Sequence, residues 1–131
     1  MSDTQLPLAL VVDDDAAARR MMRRALERRG YRVIERTDGA SGLAALSDER
    51  PDIVLLDLRM PGELSGIDAT RMAKADPVIR HIPIVIVSAS VHADARQLTD
   101  ESGCDGFVEK PVDFALLEQE MSRVLGGSHE R

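Results

Sequence analysis

Four aspartates, a serine and a lysine stand where short apolar runs stop. Asp13, Asp14 and Asp15 follow the run 8–12, Asp57 follows 53–56, Ser88 and Ala89 follow 84–87, and Lys110 and Pro111 come just after 107–108. If the first and third runs are neighbouring strands, three carboxylates converge. Two unit charges about 5 Å apart repel by roughly 3 kcal/mol at an effective dielectric near 20, so such a cluster needs a counter-charge. A hard divalent cation with oxygen ligands is the natural one. Mg2+ fits best, because it keeps waters and takes a few carboxylates plus a phosphate oxygen, and Mn2+ is a possible substitute. Lys110, one of only two lysines, adds a point charge suited to phosphate oxygens. The Ser88 hydroxyl can hydrogen-bond a further oxygen. Together the set suits phosphoryl transfer to a carboxylate, with Asp57 as nucleophile, the cation drawing charge from the phosphoryl group, and Lys110 and Ser88 holding the remaining oxygens. Such chemistry depends on positioning and electrostatics.

Each residue alone has a plainer reading. Asp13 to Asp15 could cap a following helix, since acids favour helix N-termini, and Asp15 is the expected cap. Ser88 alone is an ordinary strand-end serine, and Phe107 alone is core. Cys104 reads as a small buried residue. His81, His92 and His129 show no metal-ligand spacing and receive no role. Six of the 17 basic residues fall at Arg19, Arg20, Arg23, Arg24, Arg28 and Arg29. They form either a solvated helix face or a docking patch for an acidic or phosphorylated partner, for which Arg19, Arg20 and Arg23 are the candidates.

The elements that must position these groups alternate in type. Apolar runs at 8–12, 31–34, 53–56, 84–87 and 107–108 read as strands. The first, third and fourth are continuous rather than alternating, as strands buried on both faces are. Helical patterns lie between and after them at 16–29, 39–47, 67–75, 93–102 and 113–125. The first places Ala18, Met22, Ala25 and Leu26 on one face. The fourth has a thin apolar stripe, Ala95 and Leu98. Gly103 and Gly126-Gly127 read as C-terminal stops. The alternation implies parallel strands joined by right-handed crossovers, and in such sheets ligands sit beyond the carboxyl ends of the strands.

The chain has 131 residues, 44% of them apolar, which suits one domain. We expect a domain over 8–125 with short tails at 1–7 and 126–131. The net charge of −6 and three aromatic residues argue against direct nucleic-acid binding. With one cysteine there is neither an internal disulfide nor a cysteine metal site. No signal-peptide pattern or membrane-spanning run is present, so a cytoplasmic protein is expected. Neither a dinucleotide fingerprint nor a Walker loop occurs. A haloacid-dehalogenase-type phosphatase would want an Asp two residues after the nucleophile, where this chain has Arg59.

The runs VVDDD, LLDLRMP, VIVSAS and GFVEKP, in this order and spacing, resemble the receiver domain of two-component response regulators over about 8–125. Details such as Ser65-Gly66 and the stretch Gly103-Cys104-Asp105-Gly106 are similar to single-domain, DivK-like or chemotaxis-type members. The resemblance implies a flavodoxin-like, doubly wound (βα)5 fold, an α/β protein whose five-stranded parallel sheet has strand order 2-1-3-4-5. It implies Asp57 as phosphorylation site, Asp13 and Asp14 as metal-binding acids with Asp14 the direct ligand, and the Arg59 backbone carbonyl as a further ligand. Ser88 and Phe107 would be the switch pair, and Ala89 and Lys110 would line the phosphate. The Lys110–Pro111 bond is often cis in relatives. The loop 60–66 is one residue longer than the usual form.

The phosphodonor would be a sensor histidine kinase or histidine phosphotransfer protein, contacting the first helix. Phosphorylation would let Ser88 shift and Phe107 turn inward, altering the surface of the fourth helix, fifth strand and fifth helix for a downstream protein target. Such a protein catalyses only its own phosphorylation and dephosphorylation. The expected form is a stand-alone receiver, with no room for an output domain after the last helix. The alternatives are the input domain of a longer DNA-binding or enzymatic regulator and a pseudo-receiver that is never phosphorylated. Dimerisation is left open.

Overall fold

The computed structural model describes residues 6–58, 62–89, 97 and 101–129, apart from the side chains of 127–129. Its elements are β1 (Leu8–Val12), α1 (Ala16–Arg28), β2 (Arg32–Arg36), α2 (Gly39–Glu49), β3 (Ile53–Asp57), α3 (Gly66–Ala75), β4 (Ile84–Ser88), β5 (Gly106–Glu109) and α4 (Phe114–His129). The five strands form one parallel sheet in the order β2-β1-β3-β4-β5, the order expected. Of the helix expected over 93–102, only Gln97, Glu101 and Ser102 are described, and all three are helical; the rest, with Ala95 and Leu98, lies outside the described residues.

The continuous apolar strands are explained by two-sided burial. Side chains alternate across a strand, so Ala9, Val11, Ile53, Leu55, Val85 and Val87 face one layer, with Met22 and Leu26 of α1 and Leu117 and Met121 of α4. Leu10, Val12, Val54, Leu56 and Ile84 face the other, with Ala45 and Leu46 of α2 and Ala69 and Ala73 of α3. The expected apolar face of α1 is present: Met22 and Leu26 are buried, Ala18 and Ala25 half-buried. Among the described residues no helix is long and apolar enough to cross a membrane.

Four helix ends fall into three kinds. Gly30 follows α1 at φ +90° and Gly103 closes the helical residues 101–102 at φ +81°, the left-handed stop that glycine permits. Arg50 ends α2 at φ 50° with Pro51 next, so a stop falls where no glycine announces it. By contrast, α4 runs through Gly126 and Gly127 to His129 rather than ending at 125. Gly126 does not take the left-handed conformation, and a glycine that keeps helical angles costs the helix only about 1 kcal/mol instead of ending it.

The strand order reverses between β1 and β3. Val12 pairs with Leu56 in register, so the next residues, Asp13 and Asp57, emerge side by side at the carboxyl edge.

Candidate functional site

At that edge Asp13 is 6% exposed and Asp57 9%, while Asp14 is open to solvent. Each of the three offers a carboxylate oxygen, and these oxygens lie within 4.8 Å of one another. Asp15 leaves the group: its Oδ1 accepts the Ala17 N–H at 3.0 Å and caps α1, as expected. Asp13 is held from several sides. Its N–H donates to the Arg36 carbonyl at 3.1 Å. Its Oδ1 accepts the Asp15 N–H at 2.9 Å.

Lys110, just beyond β5, brings its Nζ to 3.2 Å from Asp13 Oδ2 and 3.6 Å from Asp57 Oδ2. Burial works to lower the Lys110 pKa, but the Asp13 and Asp57 charges and their hydrogen bonds outweigh it, so the ammonium is held above its ordinary value. Its backbone N–H donates to the Ser88 carbonyl at 2.9 Å, tying the ends of β4 and β5 together. The Lys110–Pro111 peptide is cis. Ser88 is buried at 1% exposure as the last residue of β4 rather than the residue after it. Val87 pairs with Asp57, which places Ser88 one residue beyond that level on the adjacent strand. Ala89 is exposed at the rim. Phe107 is half-buried and packs against the Ile86 and Cys104 cluster, as Leu58 and Ile67 also do. Arg59, expected to offer its carbonyl, lies outside the described residues, as do Met60 and Pro61 of the long loop.

The arginine run divides. Arg19 Nε meets Glu35 Oε1 at 3.0 Å, and its Nη1 donates to the Asp13 carbonyl at 2.8 Å. Arg23 Nε also binds Glu35, and its other nitrogens reach Glu27 at 3.0 Å and the Val33 carbonyl at 3.1 Å. The hydrogen bond that Glu35 accepts from Arg23, with the one from Arg19, holds its carboxyl below its usual range against the opposing effect of burial. Arg20 is exposed. Sequence reasoning overlooked Glu35. The signal was weak: only the register Val11↔Glu35 puts this acid beside the strand that carries the site.

The donor set fits a hard cation. All three groups are carboxylates, and one ammonium against three carboxylates leaves negative charge uncompensated. A separate cavity of about 750 Å³, lined by Pro7, Tyr31, Pro51, His81 and Leu125 among others, lies toward the amino ends of the strands. It contains none of these groups and is not where the acids converge.

A doubly wound parallel sheet with an acid cluster, a lysine and a buried serine at its carboxyl edge defines an α/β protein of the phosphoacceptor class. Residues 9–122 match the response regulator receiver domain family, and the chain belongs to it. The polar-differentiation response regulator DivK of Brucella anthropi is 28% identical over 117 residues, which are 89% of this chain and 94% of DivK. The response regulator PleD of Caulobacter vibrioides is 40% identical over 108 residues, 82% of this chain but 24% of PleD. Among solved structures, the receiver domain of the sensor histidine kinase PA1611 from Pseudomonas aeruginosa has a TM-score of 0.83 at 28% identity, covering 92% of this chain and 98% of that one; it carries a magnesium ion coordinated in its active site cleft.

Proposed function

We propose that this receiver takes a phosphoryl group onto Asp57 from a phosphohistidine of a sensor kinase or phosphotransfer protein and then changes its protein contacts. One observation carries the reading: three carboxylate oxygens from β1 and β3 gather within 4.8 Å with the Lys110 ammonium against two of them. In the transfer an Asp57 carboxylate oxygen attacks phosphorus, an acyl phosphate bond forms, and the phosphorus–nitrogen bond breaks with the pair going to the histidine. Asp13, Asp14 and Asp57, with the carbonyl of Arg59, would hold Mg2+, or Mn2+ in its place. When bound, the ion supplies Lewis-acid neutralisation of charge on the phosphoryl oxygens. Lys110 is freed from its carboxylate contacts to take a phosphoryl oxygen, while Ser88 and the Ala89 backbone offer hydrogen bonds to another.

Phosphorylation adds nearly two negative charges. A shift of Ser88 toward them gives Phe107, already half-buried against Ile86 and Cys104, room to turn inward. The surface beside β5 and α4 then changes for a downstream protein. Arg20 is the exposed member of the arginine set expected to meet the phosphodonor. The reading places the protein in the cytoplasm, where its phosphodonors act, with no chemistry beyond its own phosphorylation and dephosphorylation.

Intact-mass spectrometry after incubation with acetyl phosphate and Mg2+ tests this. Wild type should gain about 80 Da, the mass of one transferred phosphoryl group, and Asp57→Asn should gain nothing. An unlabelled wild type, or a labelled Asp57→Asn, overturns the assignment. A second reading has its own observation: the PleD match spans 24% of that protein, which suits an input module of a longer regulator, whereas DivK is spanned over 94%. The length of the encoded protein in its native cell decides between them.

A further inference from the structure

Arg19 touches neither a carboxylate of the cluster nor the lysine, yet it holds the backbone on which two of the acids are mounted. Its Nη1 donates to the Asp13 carbonyl at 2.8 Å. That carbonyl belongs to the peptide joining Asp13 to Asp14, so its orientation fixes how the two side chains diverge. Asp13 has additional restraints at its N–H and at both carboxylate oxygens. Asp14 is exposed, and its carboxylate has no hydrogen-bond or ion-pair partner among the described residues. The direction of Asp14 is therefore set by the backbone, and the backbone here is held by Arg19.

The guanidinium is held in turn. Its Nε donates to Glu35 Oε1 at 3.0 Å, only 17% of the Arg19 side chain is exposed, and Arg23 fixes the same Glu35 from the other side. The location is electrostatically poor for a cation. Arg19 lies in the first turn of α1, at the positive end of the helix dipole, and beside a site suited to a divalent ion. Glu35 cancels that charge and leaves the fork geometry, which a planar guanidinium provides and an ammonium does not.

We propose that Arg19 is a positioning residue for the cation site, and that the chain from Glu35 through Arg19 to the Asp13 carbonyl sets the affinity of that site for divalent metal. The inference rests on the reading of Asp13, Asp14 and Asp57 as the metal site. Charge and position predict opposite signs. If Arg19 acted only as a nearby positive charge, its removal would tighten metal binding; as a positioning group, its removal weakens it.

Isothermal titration of the full chain with MgCl2, repeated with Mn2+ followed by electron paramagnetic resonance, reads this directly and without phosphorylation. Arg19→Ala should bind about tenfold more weakly than wild type, the usual scale for an outer partner of a metal ligand. Arg19→Lys should not recover the loss, because one ammonium does not bridge Glu35 and the carbonyl in the same fork. Glu35→Gln should also weaken binding, since it releases Arg19 and leaves its charge uncompensated. Arg24→Ala, the same charge change on an exposed position of α1, should stay within twofold of wild type. Circular dichroism without metal establishes that each variant is folded; should Arg19→Ala fail that check, Arg19→Lys and Glu35→Gln decide. Wild-type affinity, or tighter, in the folded Arg19 variants overturns the proposal. A wild type that binds neither ion overturns the metal reading beneath it instead.

Discussion

Gly66 owes its place to what lies behind it. A Cβ there would stand 2.5 Å from the Asp57 carbonyl oxygen and 2.8 Å from Leu58 Cα, both backbone atoms that no rotamer change can move. The Gly66 N–H donates to the Leu58 carbonyl at 3.0 Å, so α3 is seated directly on the chain leaving Asp57. Gly66→Ala must push that chain aside. It should cost about 1–3 kcal/mol in urea unfolding, the range for overpacking, and weaken Mg2+ binding as well. A variant of unchanged midpoint and metal affinity would show that the contact is slack. At this scale the sequence was legible where residue type and order both spoke. Asp15 as cap and Asp13, Asp14, Asp57 and Lys110 as a group needed only their strand-end positions. The Arg19–Glu35 pair was not legible, because it joins a helix to a strand edge through a register no local pattern encodes.

At the scale of elements, β5 is one of the two edges of the sheet, and an edge strand carries unpaired backbone groups that invite another chain. The outward N–H of Phe107 is taken up by Glu120 Oε2 of α4 at 2.9 Å, and Arg123 grips the same carboxylate while donating to the Asp105 carbonyl at 2.8 Å. Gly106 makes room: a Cβ there would meet the carboxylate at 2.7 Å. The Arg123 hydrogen bond, with that from Phe107, holds the Glu120 carboxyl below its usual value of 4.5 against the effect of burial. A carboxyl depressed in the folded state stabilises it above pH 4.5, and that stabilisation is lost as pH falls through the lower folded value. Glu120→Ala should therefore cost about 1 kcal/mol near neutrality. The Phe107 amide should exchange roughly five- to tenfold faster, and the difference from wild type should shrink in acid. Equal exchange rates in the two proteins at pH 7 would mean that Glu120 does not guard the edge. The strands β1, β3 and β4 were readable because burial on both faces leaves continuous apolar runs, and α1 because its apolar face repeats at helical spacing. The end of α4 was misjudged because glycine stops a helix only in the left-handed conformation, a choice that composition does not reveal.

For the whole molecule, the site is a local excess of negative charge carried by a chain already at net −6, and a divalent cation bound there would couple that excess to global stability. A ligand that binds only the folded state stabilises it by RT ln(1 + [L]/Kd), about 1.4 kcal/mol at ten times Kd. Asp14 is the informative residue for testing this, because it is exposed and bonded to nothing else among the described residues. Asp14→Asn should raise metal-free stability, because it removes one carboxylate from a cluster whose members repel one another. If the lost carboxylate weakens Mg2+ binding tenfold, the increment at the same concentration falls to about 0.4 kcal/mol by the same relation. Urea midpoints with and without Mg2+, at ionic strength matched with NaCl, separate this from general screening of surface charge. The strand order predicts why the effect reaches the whole fold: Asp13 follows β1 and Asp57 ends β3, two neighbouring interior strands of the sheet, so an ion joining them would fasten β1 to β3 at the end where the order reverses. A Mg2+ increment of equal size in wild type and Asp14→Asn would remove Asp14 from the ligand set and leave only the two buried acids to hold the ion.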